Sequence, residues 1–195
     1  MRELAARDPD LAGVVERHGP PPLWAREPGF ATLVLLVLEQ QVSLASARAA
    51  FERLRQALGT VEPHGLLGLD DARLRAIGFS RQKAGYVREL AGALLAGALD
   101  LDALAGAPDD EIRARLTALR GIGSWTADVY LTMALRRPDA FPSGDLALLV
   151  SAGRVKRLDR RPAPQELEAL AEPWRPYRAV AARILWHAYL SERAA

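Results

Sequence analysis

The chain has 195 residues, 50% hydrophobic and 26% charged, enough for a sizeable core in one domain or two small lobes. Its 26 Lys and Arg against 24 Asp and Glu leave a formal charge of +2, too weak a bias to name a nucleic-acid partner unaided. With no cysteine, disulfides, zinc–thiolate centres and cysteine-ligated iron–sulfur clusters are excluded.

The first twenty residues, MRELAARDPDLAGVVERHGP, are charged throughout and offer no apolar signal core, so the expected address is the cytoplasm. Apolar spacings of three and four recur along the whole chain and strand-like alternation is absent, which predicts an all-α protein. A first helix is expected over about Glu3 to Arg17. The prolines of HGPPPLWAREPG then force an extended path. From Phe30 to about Gln41 the run FATLVLLVLEQQ is apolar but meets Glu39 within roughly ten residues, half of what a membrane span needs. It reads as a buried helix.

Ser43 is placed to cap LASARAAFERLRQAL, which ends at Gly59, and the loop GTVEPHG follows. Asp70 or Asp71 starts a short helix ending at Gly78, and Ser80 caps the longer RQKAGYVRELAGALLAGAL. A further helix begins at Pro108, with Asp109, Asp110 and Glu111 favouring its amino end, and stops at Gly121. Another spans Ser124 to about Arg136. The loop RPDAFPSGD leads to a helix from Leu146, a basic stretch RVKRLDRR, a short helix after Pro164 and a last helix from Pro176 to Glu192. No internal repeat is present.

The segment LTALRGIGSWTADVYL sets Gly121 and Gly123 one residue apart between two helices. Glycine there permits positive φ or close approach of a ligand, and Ile122 between them has the spacing to fasten the helices together. The second helix turns backbone N–H groups outward at Gly123, Ser124 and Trp125, an arrangement that suits a phosphate. A plain αα-hairpin with a glycine cap is the other reading. In AFPSGDLAL, Asp145 sits where an N-cap belongs, and a carboxylate so held is also aimed.

The full run LRGIGSWTADVYLTMALRRPDAFPSGDLAL resembles the signature of the helix-hairpin-helix DNA glycosylases, and within them is most similar to the 3-methyladenine DNA glycosylase II type. GFATLVLLVLEQQVSLASARAAFERL, GFSRQKAGYVRELA and WRPYRAVAARILWH resemble family segments in the same order, so the likeness covers about Pro20 to Trp186. It implies a two-lobed all-α fold with the active site between lobes: residues 43–136 bearing the hairpin, and 1–42 with 137–195 bearing the aspartate. The fuller family pattern also has an N-terminal β-domain, which this length does not accommodate.

The resemblance implies roles for individual residues. Asp145 is the catalytic carboxylate, stabilising the oxocarbenium character that develops as the N-glycosidic bond stretches. Trp125 stands where strand-cutting relatives carry a Schiff-base lysine, which implies a monofunctional enzyme that leaves an abasic site in an intact strand. Trp125 and Trp186, with Trp24 and Tyr130 as lesser candidates, are the implied walls for a cationic alkylated purine, which stacks well on electron-rich rings. Val129 stands where relatives often carry an aromatic, which leaves the lesion range open.

Duplex DNA with damaged bases is the implied partner, gripped through Gly121, Ile122, Gly123, Ser124 and Thr126. Val61 or His64 in the loop before Gly65 is a candidate wedge for the gap left by a flipped base, against a plain surface turn. Gln40, Gln41 and Ser43 either brace the active-site loop, contact DNA or form a solvated helix end. Main-chain carbonyls of Thr117, Leu119 and Ile122 are candidates for a monovalent cation, sodium or potassium. No cofactor is otherwise required, no iron–sulfur cluster or membrane is expected, and a monomer is expected. Three other readings stay open, two of them a non-catalytic DNA-binding module and a glycosylase for deaminated or etheno bases. A structural αα-hairpin protein without nucleic acid is the third.

Overall fold

The structure, a computed structural model, describes residues 1–194, and every regular element among them is helical. No helix among the described residues is long and apolar enough to cross a membrane. The chain divides into two compact units, one of Met1–Ala25 with Leu131 onward, the other of Arg26–Tyr130.

In the first unit, α1 (Arg2–Arg7) and α2 (Pro9–His18) replace the single helix expected there. The break has a local cause. Pro9 has no N–H to continue α1, but it suits the first position of a new helix, and Asp8 Oδ1 caps that helix by accepting from Asp10 N and Leu11 N at 3.1 and 3.2 Å. The Asp8 carboxylate also receives both arms of a buried network, Lys156 Nζ at 2.7 Å from each oxygen and the Trp174 indole N–H at 2.6 Å.

The middle unit begins with α3 (Phe30–Glu39), which is buried almost all round because it packs against both α4 (Leu44–Leu58) and α7 (Arg81–Leu95). Between them lie α5 (Pro63–Leu67), a helix of only five residues where a loop is expected, and α6 (Asp71–Ile77). Ser43, Asp70 and Ser80 cap α4, α6 and α7 as their side chains predict. α7 stops at Leu95, short of the expected Leu99, where the backbone turns left-handed at Gly97. Asp100 then caps a short α8 (Leu101–Ala105).

α9 (Asp109–Thr117) and α10 (Ser124–Met133) form the hairpin, with Pro108 as N-cap rather than first helical residue. In the first unit follow α11 (Leu146–Val155), α12 (Pro164–Ala171), a turn of 3-10 helix at Glu172–Trp174, and α13 (Arg178–Ala194).

The unit boundaries depart from the expected 43–136. Residues 26–42 fall in the middle unit because α3 is held there by packing, by the bidentate Arg26–Glu39 pair at 2.9 Å and by Gly29 N–H donating to the Tyr130 hydroxyl at 2.9 Å. The later boundary lies after Tyr130, ahead of the proline-rich loop, because that loop marks a break in the helix and not the edge of the packing.

Candidate functional site

In the middle unit the hairpin rests on Tyr86. Gly121 has φ +86°, and a Cβ added there would lie 2.1 Å from Cγ of the Tyr86 ring, so both backbone conformation and space demand glycine. Gly123 differs. A Cβ there would meet nothing within 4 Å, and its φ is not left-handed, so neither its backbone nor its own surroundings require glycine. Helical bonding in α10 starts with Ala127 N–H donating to Gly123 O at 3.1 Å, which turns the helix's amino end toward the exposed Gly123 and Ser124.

The hairpin is tied from behind. Gln40 Nε2 donates to Gly121 O at 2.8 Å and to Thr126 Oγ1 at 3.1 Å. Lys83 Nζ in turn donates to Leu38 O and Gln40 O at 2.8 and 2.7 Å, filling the carbonyls that end α3, and burial pushes its pKa down. Arg113 Nε bonds Asp128 Oδ1 at 2.6 Å and so ties α9 to α10. Lys83 had no motif to announce it; only the fold brings its amine to the end of α3.

These contacts sort the sequence candidates. Thr126, 1% exposed, keeps its hydroxyl inside the unit as a support for the hairpin. The Ile122 side chain is likewise buried, which leaves only its backbone for a ligand. Gln40 is turned inward as the brace, while Gln41 is exposed with φ +57°. Val61 is 7% exposed and belongs to the core, so it is not placed to enter a duplex; His64 is the exposed member of that pair. Tyr130, 1% exposed, is committed to Gly29, and burial raises its pKa against the opposing effect of that backbone bond. Trp125 is half-buried in the first turn of α10.

Thr117, Leu119 and Ile122 lie at the end of α9 and in the turn after it, and their main-chain carbonyls are oxygen donors of the kind a hard cation takes. Leu119 O accepts Ile122 N–H at 3.1 Å and keeps a second lone pair. The donor chemistry fits. Among the described residues no cluster of three or more His, Asp or Glu could hold a metal through side chains.

In the first unit, Asp145 caps α11, and two donors converge on one of its oxygens: Leu148 N–H and the Trp186 indole N–H, each 3.0 Å from Oδ1. Together they fix the plane and rotamer of the carboxylate. Trp186 is 7% exposed and presents its N–H edge to this oxygen. Trp24, with φ +46°, sits edge-on to His187 with ring centroids 6.2 Å apart, and Arg183 Nε holds the preceding carbonyl of Leu23 at 3.0 Å. His187 Nε2 lies 2.9 Å from His18 O, so the proline-rich segment is fastened at both ends.

Comparison with known proteins bears on both places. Residues 34–176, the stretch that contains the hairpin and Asp145, match the family described as HhH-GPD superfamily base excision DNA repair protein. The chain belongs to this superfamily. It is 30% identical over 184 residues to YfjP of Bacillus subtilis, a protein named only provisionally as a DNA-3-methyladenine glycosylase; the match covers 90% of this chain and 64% of that one. Among solved structures, DNA-3-methyladenine glycosidase from Bacillus halodurans is similar at TM-score 0.80 and 30% identity, over 98% of this chain and 89% of that chain. The 3-methyladenine DNA glycosylase Mag1 of fission yeast, solved with abasic DNA, is similar at TM-score 0.87 and 26% identity, over 94% and 92%.

Proposed function

We propose that this HhH-GPD chain is a monofunctional DNA glycosylase that removes alkylated purines, of the 3-methyladenine and 7-methylguanine class, by hydrolysing the N-glycosidic bond. The observation that carries the reading is Asp145, oriented by Leu148 and Trp186 through a single oxygen. As the bond to an alkylated purine stretches, positive charge moves from the base onto the sugar. A fixed carboxylate beside C1′ favours that transition state and can orient the attacking water. An N3- or N7-alkylated purine leaves as a neutral base, so the reaction needs no strong general acid.

The hairpin supplies the grip. Open space at Gly123 is what a phosphate needs to approach the amino end of α10, and the inward ties from Gln40 and Asp128 keep that end in place. Carbonyls of Thr117, Leu119 and Ile122 would hold a sodium or potassium ion that shapes the turn. Trp125 occupies the place of a Schiff-base lysine and offers an aromatic face in its stead, so water is the nucleophile and the strand stays whole. A non-catalytic binding module would use the hairpin and leave Asp145 only the task of capping α11.

The reading is tested with duplexes carrying single lesions. Release of 3-methyladenine and 7-methylguanine should exceed release of hypoxanthine and etheno-adenine, with strand breaks appearing only after alkali. Absence of alkylpurine release, or breaks without alkali, contradicts it.

A further inference from the structure

Arg120, the residue before Gly121, has no part in the site described above, yet it is held there by three separate contacts. Its backbone N–H donates to Glu89 Oε1 at 3.0 Å, and its side-chain Nε donates to Glu89 Oε2 at 3.2 Å. The guanidinium carbon lies over the Tyr86 ring, 5.9 Å from its centroid. Tyr86 and Glu89 are three residues apart on α7 and so share one face of that helix. The ring under Arg120 is the same ring that leaves no room for a side chain at Gly121. One aromatic side chain thus sets both the hairpin backbone and the cation beside it.

The ion pair itself is open to water: the Arg120 side chain is 70% exposed and that of Glu89 39%. Exposed pairs of this kind are weak and are exchanged readily for a better anion. A phosphodiester offers one, with charge-assisted bonds in the fork geometry that guanidinium prefers. The backbone bond is separate. It uses the other carboxylate oxygen and does not depend on where the guanidinium goes.

We propose that Arg120 is a second phosphate contact beside the hairpin amides, and that Glu89 is a built-in counter-ion which DNA must displace to engage it. This rests on the reading of the hairpin as a DNA grip. Displacing Glu89 subtracts from the affinity gained through Arg120, so the pair restrains binding to DNA generally. It acts as a brake on sequence-independent association, where most of the favourable free energy comes from phosphate contacts. Glu89 keeps its hold on the Arg120 N–H throughout, so the hairpin is supported with or without DNA.

Glu89→Gln separates the two tasks of Glu89, because the amide oxygen still accepts the backbone N–H while the charge is gone. The experiment measures affinity for an undamaged duplex against salt concentration for wild type, Glu89→Gln, Arg120→Gln and the double variant. Arg120→Gln should weaken binding several-fold at low salt and flatten the slope of log K on log salt by about one. Arg120→Lys should restore the slope. Glu89→Gln should tighten binding several-fold in the wild-type background and have no effect once Arg120 is gone. An unchanged slope in Arg120→Gln overturns the proposal, as does equal tightening by Glu89→Gln in both backgrounds. A wild-type chain without salt-dependent binding overturns the hairpin reading itself, a result distinct from either.

Discussion

Asp8 does three jobs with one carboxylate. It caps α2, it receives the Trp174 indole N–H, and it pairs with Lys156. Burial alone would raise its pKa, but the bonds from Lys156, Trp174 and Leu11 N–H outweigh that and hold it below the ordinary carboxylate value. Lys156 is the mirror case: burial opposes its charge, while Asp8 and Asp10 push its pKa up. A lowered carboxyl pKa stabilises the fold above the unfolded-state value and loses that contribution as pH falls through the folded one. A raised lysine pKa stabilises below its unfolded value and loses that as pH rises through the folded one. The cluster therefore supports the fold across the neutral range and weakens at both ends. Asp8→Asn should cost about 2–3 kcal/mol at neutral pH. Urea melts should show the gap to wild type closing as the medium is acidified below the carboxylate range; a pH-independent gap would contradict this assignment. From sequence, Asp8 was one acid among many, since its partners lie 148 and 166 residues away.

At the scale of elements, caps and breakers were legible and ties between elements were not. Ser43, Asp70, Ser80 and Asp145 all cap where their short polar side chains precede an apolar run, because capping is settled within three residues. The apolar spacing runs across Asp8 and Pro9 and so hides the division of α1 from α2, although the two residues spell a cap and a first-turn proline. Of the two reasons the sequence offers for glycine in the hairpin, positive φ applies at Gly121 and not at Gly123. What the spacing did not show is the chain of bonds from Lys83 through the end of α3 and Gln40 to the hairpin. Gln40→Leu removes both donors to the hairpin and leaves Gly121 O and Thr126 Oγ1 short of a partner in a half-buried place. The variant should lose about 1–3 kcal/mol of stability and bind duplex DNA at least several-fold more weakly at a temperature where it is fully folded. Full DNA affinity in the folded variant would show that the brace does not shape the hairpin.

For the whole molecule, the helical class follows from periodicity, and membership of the HhH-GPD superfamily follows from the order of segments that the family match spans. The unit limits differ from those the loop composition suggests, because composition records where the backbone bends, whereas unit membership depends on what α3 packs against. Of the aromatic residues expected at the site, Trp186 is joined to Asp145, and Tyr130 is withdrawn into its unit by Gly29. A periodic pattern says that a Trp or Tyr is amphipathic and half-enclosed, but only the partner of its N–H or O–H says which end is in use. The proposed activity rests on the Asp145 carboxylate, which accepts from Leu148 N–H and the Trp186 indole on one oxygen. Its most direct test is single-turnover release of 7-methylguanine from a methylated duplex by wild type and Asp145→Asn, with DNA affinity measured in parallel. Asp145→Asn should bind as wild type does and release base slower by a factor on the order of 100 or more, the scale seen when a charge-stabilising group is lost from an active site. Release at the wild-type rate by Asp145→Asn would contradict the assignment of Asp145 as the catalytic carboxylate.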